Sequence, residues 1–183
     1  MFDENLVFFK YVEEFIEGKT TIQDIEDFEK KYNISLAEDY KEFLIKYNGI
    51  SLGFGYKKDN KNYVMDNFYL EKIEKGYCDF FENLPEVIKT MNIYLGNNEF
   101  PDEIDIVKNK KILPIALNSS AHDYLGLCFG EDNFGKIYTW TNDWDYEVFF
   151  VCNSFKEFIE GYYLIETDED FDPISAEKIF KIE

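Results

Sequence analysis

Residues 21–49, TIQDIEDFEKKYNISLAEDYKEFLIKYNG, encode two amphipathic helices and their boundaries. Thr21 followed three residues on by Asp24 predicts a capping box, in which a hydroxyl and a carboxylate satisfy free backbone N–H groups at a helix start. Ile22, Ile25, Phe28 and Tyr32 then recur at helical spacing and mark one apolar stripe. Ser35-Leu36-Ala37-Glu38 repeats the capping pattern. Behind it Tyr40, Phe43, Leu44 and Tyr47 form a second stripe, and Asn48-Gly49 is a left-handed stop signal.

Upstream, Asp3 is placed to cap a further helix with Phe8, Val12, Phe15 and Ile16 on one face, ended by Gly18. Downstream the pattern changes. Gly53 to Asn60 reads as loop and residues 63–70 (YVMDNFYL) as a strand. Asn83-Leu84-Pro85 opens a helix through Val87, Ile88, Met91 and Leu95. Residues 97–110 look irregular. Strands are predicted at 112–117 (ILPIAL), 123–129 (DYLGLCF) and 136–141 (KIYTWT), the last two joined by the hairpin link Gly130-Glu131-Asp132-Asn133-Phe134-Gly135. Residues 147–152 (EVFFVC) are apolar on both faces, as in a central strand. Ser154 caps a helix with Phe155, Phe158, Ile159 and Tyr162; 166–172 (ETDEDFD) reads as a solvated loop, and 175–181 as a short last helix. Helices, then strands, then helices give an α+β fold: a mostly antiparallel sheet of about 4–6 strands with helices packed around it, in a single domain. The expected division is an N-terminal helical extension (1–20), a central domain (21–161) and an acidic C-terminal segment (162–183).

The chain has 183 residues, 45% of them hydrophobic and 19% aromatic, enough apolar surface for a packed core. It carries 38 acidic residues against 19 basic ones, every one a lysine, for a net charge of -19. Nucleic-acid binding needs clustered Lys and Arg, and anionic membranes repel such a chain, so both partners are excluded on charge. What remains is a basic partner, or charge that serves solubility. Residues 1–60 hold 13 acids and 8 lysines, 61–120 hold 10 and 7, and 121–183 hold 15 and 4. More than half of the net charge therefore lies in the last third. The N-terminus MFDENLVFFKYVEEF lacks the basic start of a secretory signal, and no window has the ~20 apolar residues of a membrane span. Cys78, Cys128 and Cys152 are odd in number and widely spaced, which suits a reducing cytoplasm better than a disulfide framework or a zinc ribbon.

Few residues invite chemistry. The only histidine, His122, and Cys128 share a strand face but lie about 20 Å apart at the rise of an extended chain. Asp143, Asp145 and Glu147 alternate around Trp144 and Tyr146. Three readings fit them: a solvated acidic loop, a protein-docking patch, or a cation or acid–base site, the last without an EF-hand's glycine or its acid at loop position 12. Trp140 suits the core. Trp144 is the better interface candidate, because Trp and Tyr beside carboxylates form hot spots for lysine or arginine of a partner. No cofactor motif is present.

Taken together these segments resemble the SUKH superfamily, which includes fungal Smi/Knr cell-wall assembly regulators and many bacterial immunity proteins. The resemblance rests on Leu36, Tyr40, Phe43, Leu44, Asn48 and Gly49, on ILPIA at 112–116, on KIYTW at 136–140 and on SFKEFI at 154–159. Ala37 stands where the family usually has proline, and Asn118 to Asp123 replaces its Gly-Gly-Asp loop. It implies a non-catalytic protein-binding role without cofactors. The arginine-free, Asn/Ile/Lys-rich composition looks like that of an AT-rich bacterial genome and points to the bacterial branch. The leading expectation is a cytoplasmic, monomeric immunity protein that binds and neutralises a basic toxin effector domain, a nuclease among the options. The alternative is an intracellular scaffold or regulatory module. The charge asymmetry then places the partner on Asp123, Tyr138, Asp143, Trp144, Asp145, Tyr146 and Glu147.

Overall fold

The computed structural model describes residues 1–53, 55–74, 78–96, 101–117, 123–141, 147–170 and 172–182. In chain order the elements are α1 (Val7–Lys10), β1 (Val12–Phe15), α2 (Ile22–Tyr32), α3 (Glu38–Tyr47), β2 (Ile50–Leu52), β3 (Gly55–Lys58), β4 (Lys61–Asn67) and α4 (Phe68–Glu71). They continue with β5 (Phe80–Phe81), α5 (Leu84–Gly96), α6 (Pro101–Lys108), β6 (Ile112–Leu117), β7 (Asp123–Cys128), β8 (Ile137–Thr141), β9 (Phe149–Cys152), α7 (Phe155–Glu160) and β10 (Tyr162–Thr167). The α+β architecture holds. Every pairing is antiparallel, in a seven-stranded sheet ordered β1-β2-β5-β6-β7-β8-β9 and a three-stranded sheet ordered β10-β4-β3.

The sheet outgrows the four to six strands expected because β1, β2 and β5 have only four, three and two residues, too few to show alternation. The first segment is not one helix. After the single turn α1, Val12 to Phe15 extends and pairs with Leu52 to Ile50. β1 carries exposed Glu13 and Glu14, as suits a strand at the sheet's end. The strand expected at 63–70 stops at Asn67, whose buried side chain accepts from the Tyr69 N–H (3.0 Å) and donates to the Phe158 carbonyl (3.0 Å). The irregular stretch contains α6. Residues 175–181 form isolated bridges, Leu164 to Ile179 and Leu6 to Lys181, in place of a helix. Of the acidic run, Glu166 and Thr167 belong to β10. β9 stands at the end of the sheet order and not at its centre.

The capping box at Thr21–Asp24 forms as read. Ser35 does not cap α3; that helix begins at Glu38 after Ala37, which offers no side-chain bond. Ile22 is left exposed, while Ile25 and Phe28 turn inward. Seven aromatic side chains form one cluster at the centre of the main core. Phe8, Tyr40, Phe43, Phe81, Phe155, Phe158 and Tyr162 are fully buried, with ring centroids 5.0 Å apart for Phe43–Phe155, 5.1 Å for Phe8–Phe81 and 5.2 Å for Phe8–Tyr162. Rings meeting mostly edge to face add about 0.5–1.5 kcal/mol per pair beyond burial. Residues from both flanks of the central segment, Phe8 and Tyr162, sit within this cluster.

The junction of α3 and the large sheet is set by Asn48-Gly49. Asn48 adopts left-handed backbone (φ 62°) and ends α3. Its side chain is buried; it accepts from the Thr20 hydroxyl (2.7 Å) and donates to the carbonyls of Ile16 and Glu17 (3.2 Å each). Gly49 follows at φ 143°, and a Cβ there would lie 2.8–2.9 Å from Ile16 Cδ1, the Asn83 nitrogen and the Phe81 oxygen. Asn48→Gly keeps the backbone conformation and removes only the side-chain bonds. It is expected to cost about 2–4 kcal/mol in urea unfolding, the loss of several buried hydrogen bonds; a change within error would show that those bonds do not hold the corner.

Candidate protein-binding face

Of the residues that sequence singled out, Asp123 stands on β7, Tyr138 on β8, and Glu147 just before β9. Opposite partners are Asp123–Thr141, Tyr124–Trp140, Leu125–Thr139, Gly126–Tyr138 and Tyr138–Phe150. Alternation sends Leu125, Leu127 and Ile137 into the main core and Tyr124, Gly126, Tyr138 and Trp140 to the other face. There α6 supplies Ile106, which packs with Ile112, Cys128 and Trp140 into a second small core bordered by Tyr124, Tyr138 and Val148. Trp140 is 1% exposed, as the sequence suggested, and stacks on Tyr124 (5.5 Å, 10°). Gly126 makes room for it: a Cβ at that position would come within 2.6 Å of Trp140 Cζ3 and 2.3 Å of Ile112 Cγ2.

Tyr138 is half-buried on this face and meets Phe150 edge-on (5.8 Å, 73°). Phe150 is 47% exposed, and the Lys136 ammonium lies 6.0 Å above its ring. Glu147 is exposed just before β9. Asp123 lies elsewhere. It is 9% exposed and shares the side of β7 that turns to the main core, and its charge helps keep the buried Cys78 thiol protonated. Asp143, Trp144, Asp145 and Tyr146 lie outside the described residues, as does His122. The structure thus joins Tyr138 to Phe150, a residue that sequence reasoning missed. In EVFFVC both phenylalanines look like core, and only the Tyr138–Phe150 register shows that the second is presented to solvent.

The three thiols are not set up as nucleophiles. The three cysteines are free and buried. Burial pushes the Cys152 thiol up to about 12 and raises those of Cys78 and Cys128, whereas a reactive thiol needs a lowered value. Among the described residues no three His, Cys, Asp or Glu side chains could hold a metal ion, and no helix is long and apolar enough to cross a membrane.

The model of the SMI1 / KNR4 family (SUKH-1) matches residues 19–161. The chain belongs to this family. SUKH proteins are in general non-catalytic immunity or regulatory proteins. Two relatives come from Bacillus subtilis (strain 168). The uncharacterized protein YobM is 35% identical over 74 residues, 38% of this chain and 40% of that protein. The SPbeta prophage-derived uncharacterized protein YokK is 26% identical over 172 residues, 86% of this chain and 79% of that protein. The chain therefore spans less than half of YobM but most of YokK. In this SUKH chain the motif residues have structural work. Tyr40, Phe43 and Leu44 are core, Asn48 and Gly49 make the corner, and Trp140 fills the second core.

One half-buried carboxylate is set to titrate near neutrality. Glu82 Oε2 is buried without a hydrogen-bond partner among the described residues, as is the Tyr40 hydroxyl. Burial, reinforced by Glu86 and opposed by Lys89, raises the Glu82 carboxyl from its ordinary 4.5 to about 7. Between those values the folded chain holds a proton that the unfolded chain has released, so Glu82 lowers stability as pH rises through the window. Glu82→Gln, which stays neutral, is expected to stabilise the protein above pH 7 by up to about 2–3 kcal/mol and to change little below pH 4.5. Denaturant unfolding at the two extremes measures this; equal effects at both would show that Glu82 ionises normally.

Proposed function

We propose that this chain is a bacterial immunity protein of the cytoplasm, which binds a basic toxin domain through the acidic, aromatic-bearing face of its last third and neutralises it. The supporting observation is family membership over residues 19–161 combined with the charge distribution, 15 acids against 4 lysines after residue 120. The prophage origin in the name of YokK accords with a role in competition between genomes.

The physical division of labour follows from these residues. Carboxylates steer a basic partner toward the face and raise the association rate at low salt. Fields of exposed charges fade beyond about 8 Å at physiological ionic strength, so close contacts must supply much of the affinity. Exposed Phe150 edge-on to Tyr138 gives one aromatic anchor, and Trp144 and Tyr146 are proposed as others. If the toxin is a nuclease, carboxylates would occupy the cleft meant for phosphates.

Co-expression with the product of the adjacent toxin-like gene tests the proposal. Rescue of growth and co-purification are expected; neither occurring would sink it. Within a complex, Asp143→Lys with Asp145→Lys is expected to weaken binding by about tenfold or more and to flatten its salt dependence. The same reversals at exposed Glu13, on β1 at the other end of the sheet, and exposed Glu17, just after it, should have little effect.

A further inference from the structure

Next to the second small core, with which it shares Cys128, the end of α2, the C-terminal end of α6 and the β7–β8 turn border an open groove of about 1370 Å³. Small-molecule pockets typically hold about 300–1,000 Å³, so this groove has room for a polypeptide segment. Its lining is mixed: half-buried Ile34 and Phe129 offer apolar surface, backed by the buried Met91, Val107 and Cys128.

The rim reverses the sign of the molecule. Lys30, Lys108, Lys110 and Lys111 line the groove, all exposed, and none pairs with a carboxylate among the described residues. Glu29 also lines it but is already engaged by Lys41 (2.9 Å) and the Leu36 N–H (2.7 Å). Glu131 and Asp132 are the other carboxylates of the lining. A chain of net charge -19 thus carries four lysines against three carboxylates around a concave surface with apolar patches. Lys30 and Lys108 also suit the last turns of α2 and α6, where cations complement the helix dipole. Lys110 and Lys111 lie beyond α6 and have no such explanation.

The β7–β8 turn adds a fixed anchor. Phe134 is 46% exposed at its tip. The turn is held by the Gly135 N–H donating to the Cys128 carbonyl (2.8 Å) and by Lys136 donating to Asn133 through its backbone (3.1 Å) and its ammonium (2.8 Å). Gly135 adopts φ 79°, which glycine tolerates and most residues do not. An aromatic ring on a pre-ordered turn costs little entropy to bind with.

We propose that this groove is a second docking site, which takes an acidic polypeptide segment bearing a large apolar side chain from a protein partner. The lysines meet the acids, while Phe134, Phe129 and Ile34 meet the apolar side chain. Its partner carries the opposite charge to the one proposed for the acidic face, so the two sites are told apart by the charge of what they bind. A short acidic segment lies within a Debye length of the rim and answers to local charge, whereas a nucleic acid extends into the repulsive field of the whole chain.

Fluorescence anisotropy with a labelled Glu-Asp-Phe-Glu-Asp-Leu-Glu-Asp peptide tests the proposal, alongside its charge-inverted lysine counterpart and a short single-stranded DNA. Saturable binding of the acidic peptide alone is expected. It should weaken with salt, fall at least tenfold in the Lys108→Glu/Lys110→Glu/Lys111→Glu variant, and fall several-fold in Phe134→Ala. All four side chains are exposed, and unchanged thermal unfolding confirms that the variants are folded. No saturable binding at millimolar peptide, equal binding of the inverted peptide, indifference to both variants, or DNA binding through the same lysines would each overturn it.

Discussion

The carboxamide of Asn48 ties the end of α3 to the segment that leaves β1, and the seating of the helices on the large sheet follows from that tie. Three buried hydrogen bonds converge on one side chain, from Thr20 and to Ile16 and Glu17. Gly49 then lets β2 pass within contact of Phe81 and Asn83. With β2 so placed, β1 pairs on one side and β5 on the other. β5 carries Phe81 into the aromatic cluster, where rings from α1, α3 and α7 meet it. Backbone conformation, buried polar bonding and aromatic packing thus meet in two adjacent residues.

The sheet has two sheltered faces, and the second bears on function. The main core lies on one side; on the other, Trp140 and α6 close a smaller one. Beside the smaller core, Tyr138 and Phe150 remain partly open at the β9 end of the sheet. Half-buried Tyr138 and exposed Phe150, close in sequence to a strongly acidic stretch, are the proposed anchors for recognition by charge and contact.

The helices from 21 to 49 were legible because their signals are local. A capping box, two apolar stripes and an Asn-Gly stop each lie within a few residues, and the hairpin of β7 and β8 was equally plain. The N-terminal segment misled because Phe8, Val12, Phe15 and Ile16 fit a helical face, while pairing with Ile50 to Leu52, far along the chain, decided the outcome. The two- and three-residue strands carried no period at all. At the candidate face, Trp140 as core was readable from its place in a family strand. The inward turn of Asp123 and the exposure of Phe150 depend on register between strands, which composition does not record. The lysine-rimmed groove was illegible for a related reason: Lys30 and Lys111 lie 81 positions apart by their residue numbers and become neighbours only through the fold.

Amide hydrogen exchange of the chain, free and in complex with a toxin domain that it is proposed to neutralise, tests the central claim most directly. The account predicts slowed exchange in residues 121–152, with the three-stranded sheet of β3, β4 and β10 unchanged. A stable complex whose protection falls wholly outside residues 121–152 would contradict it.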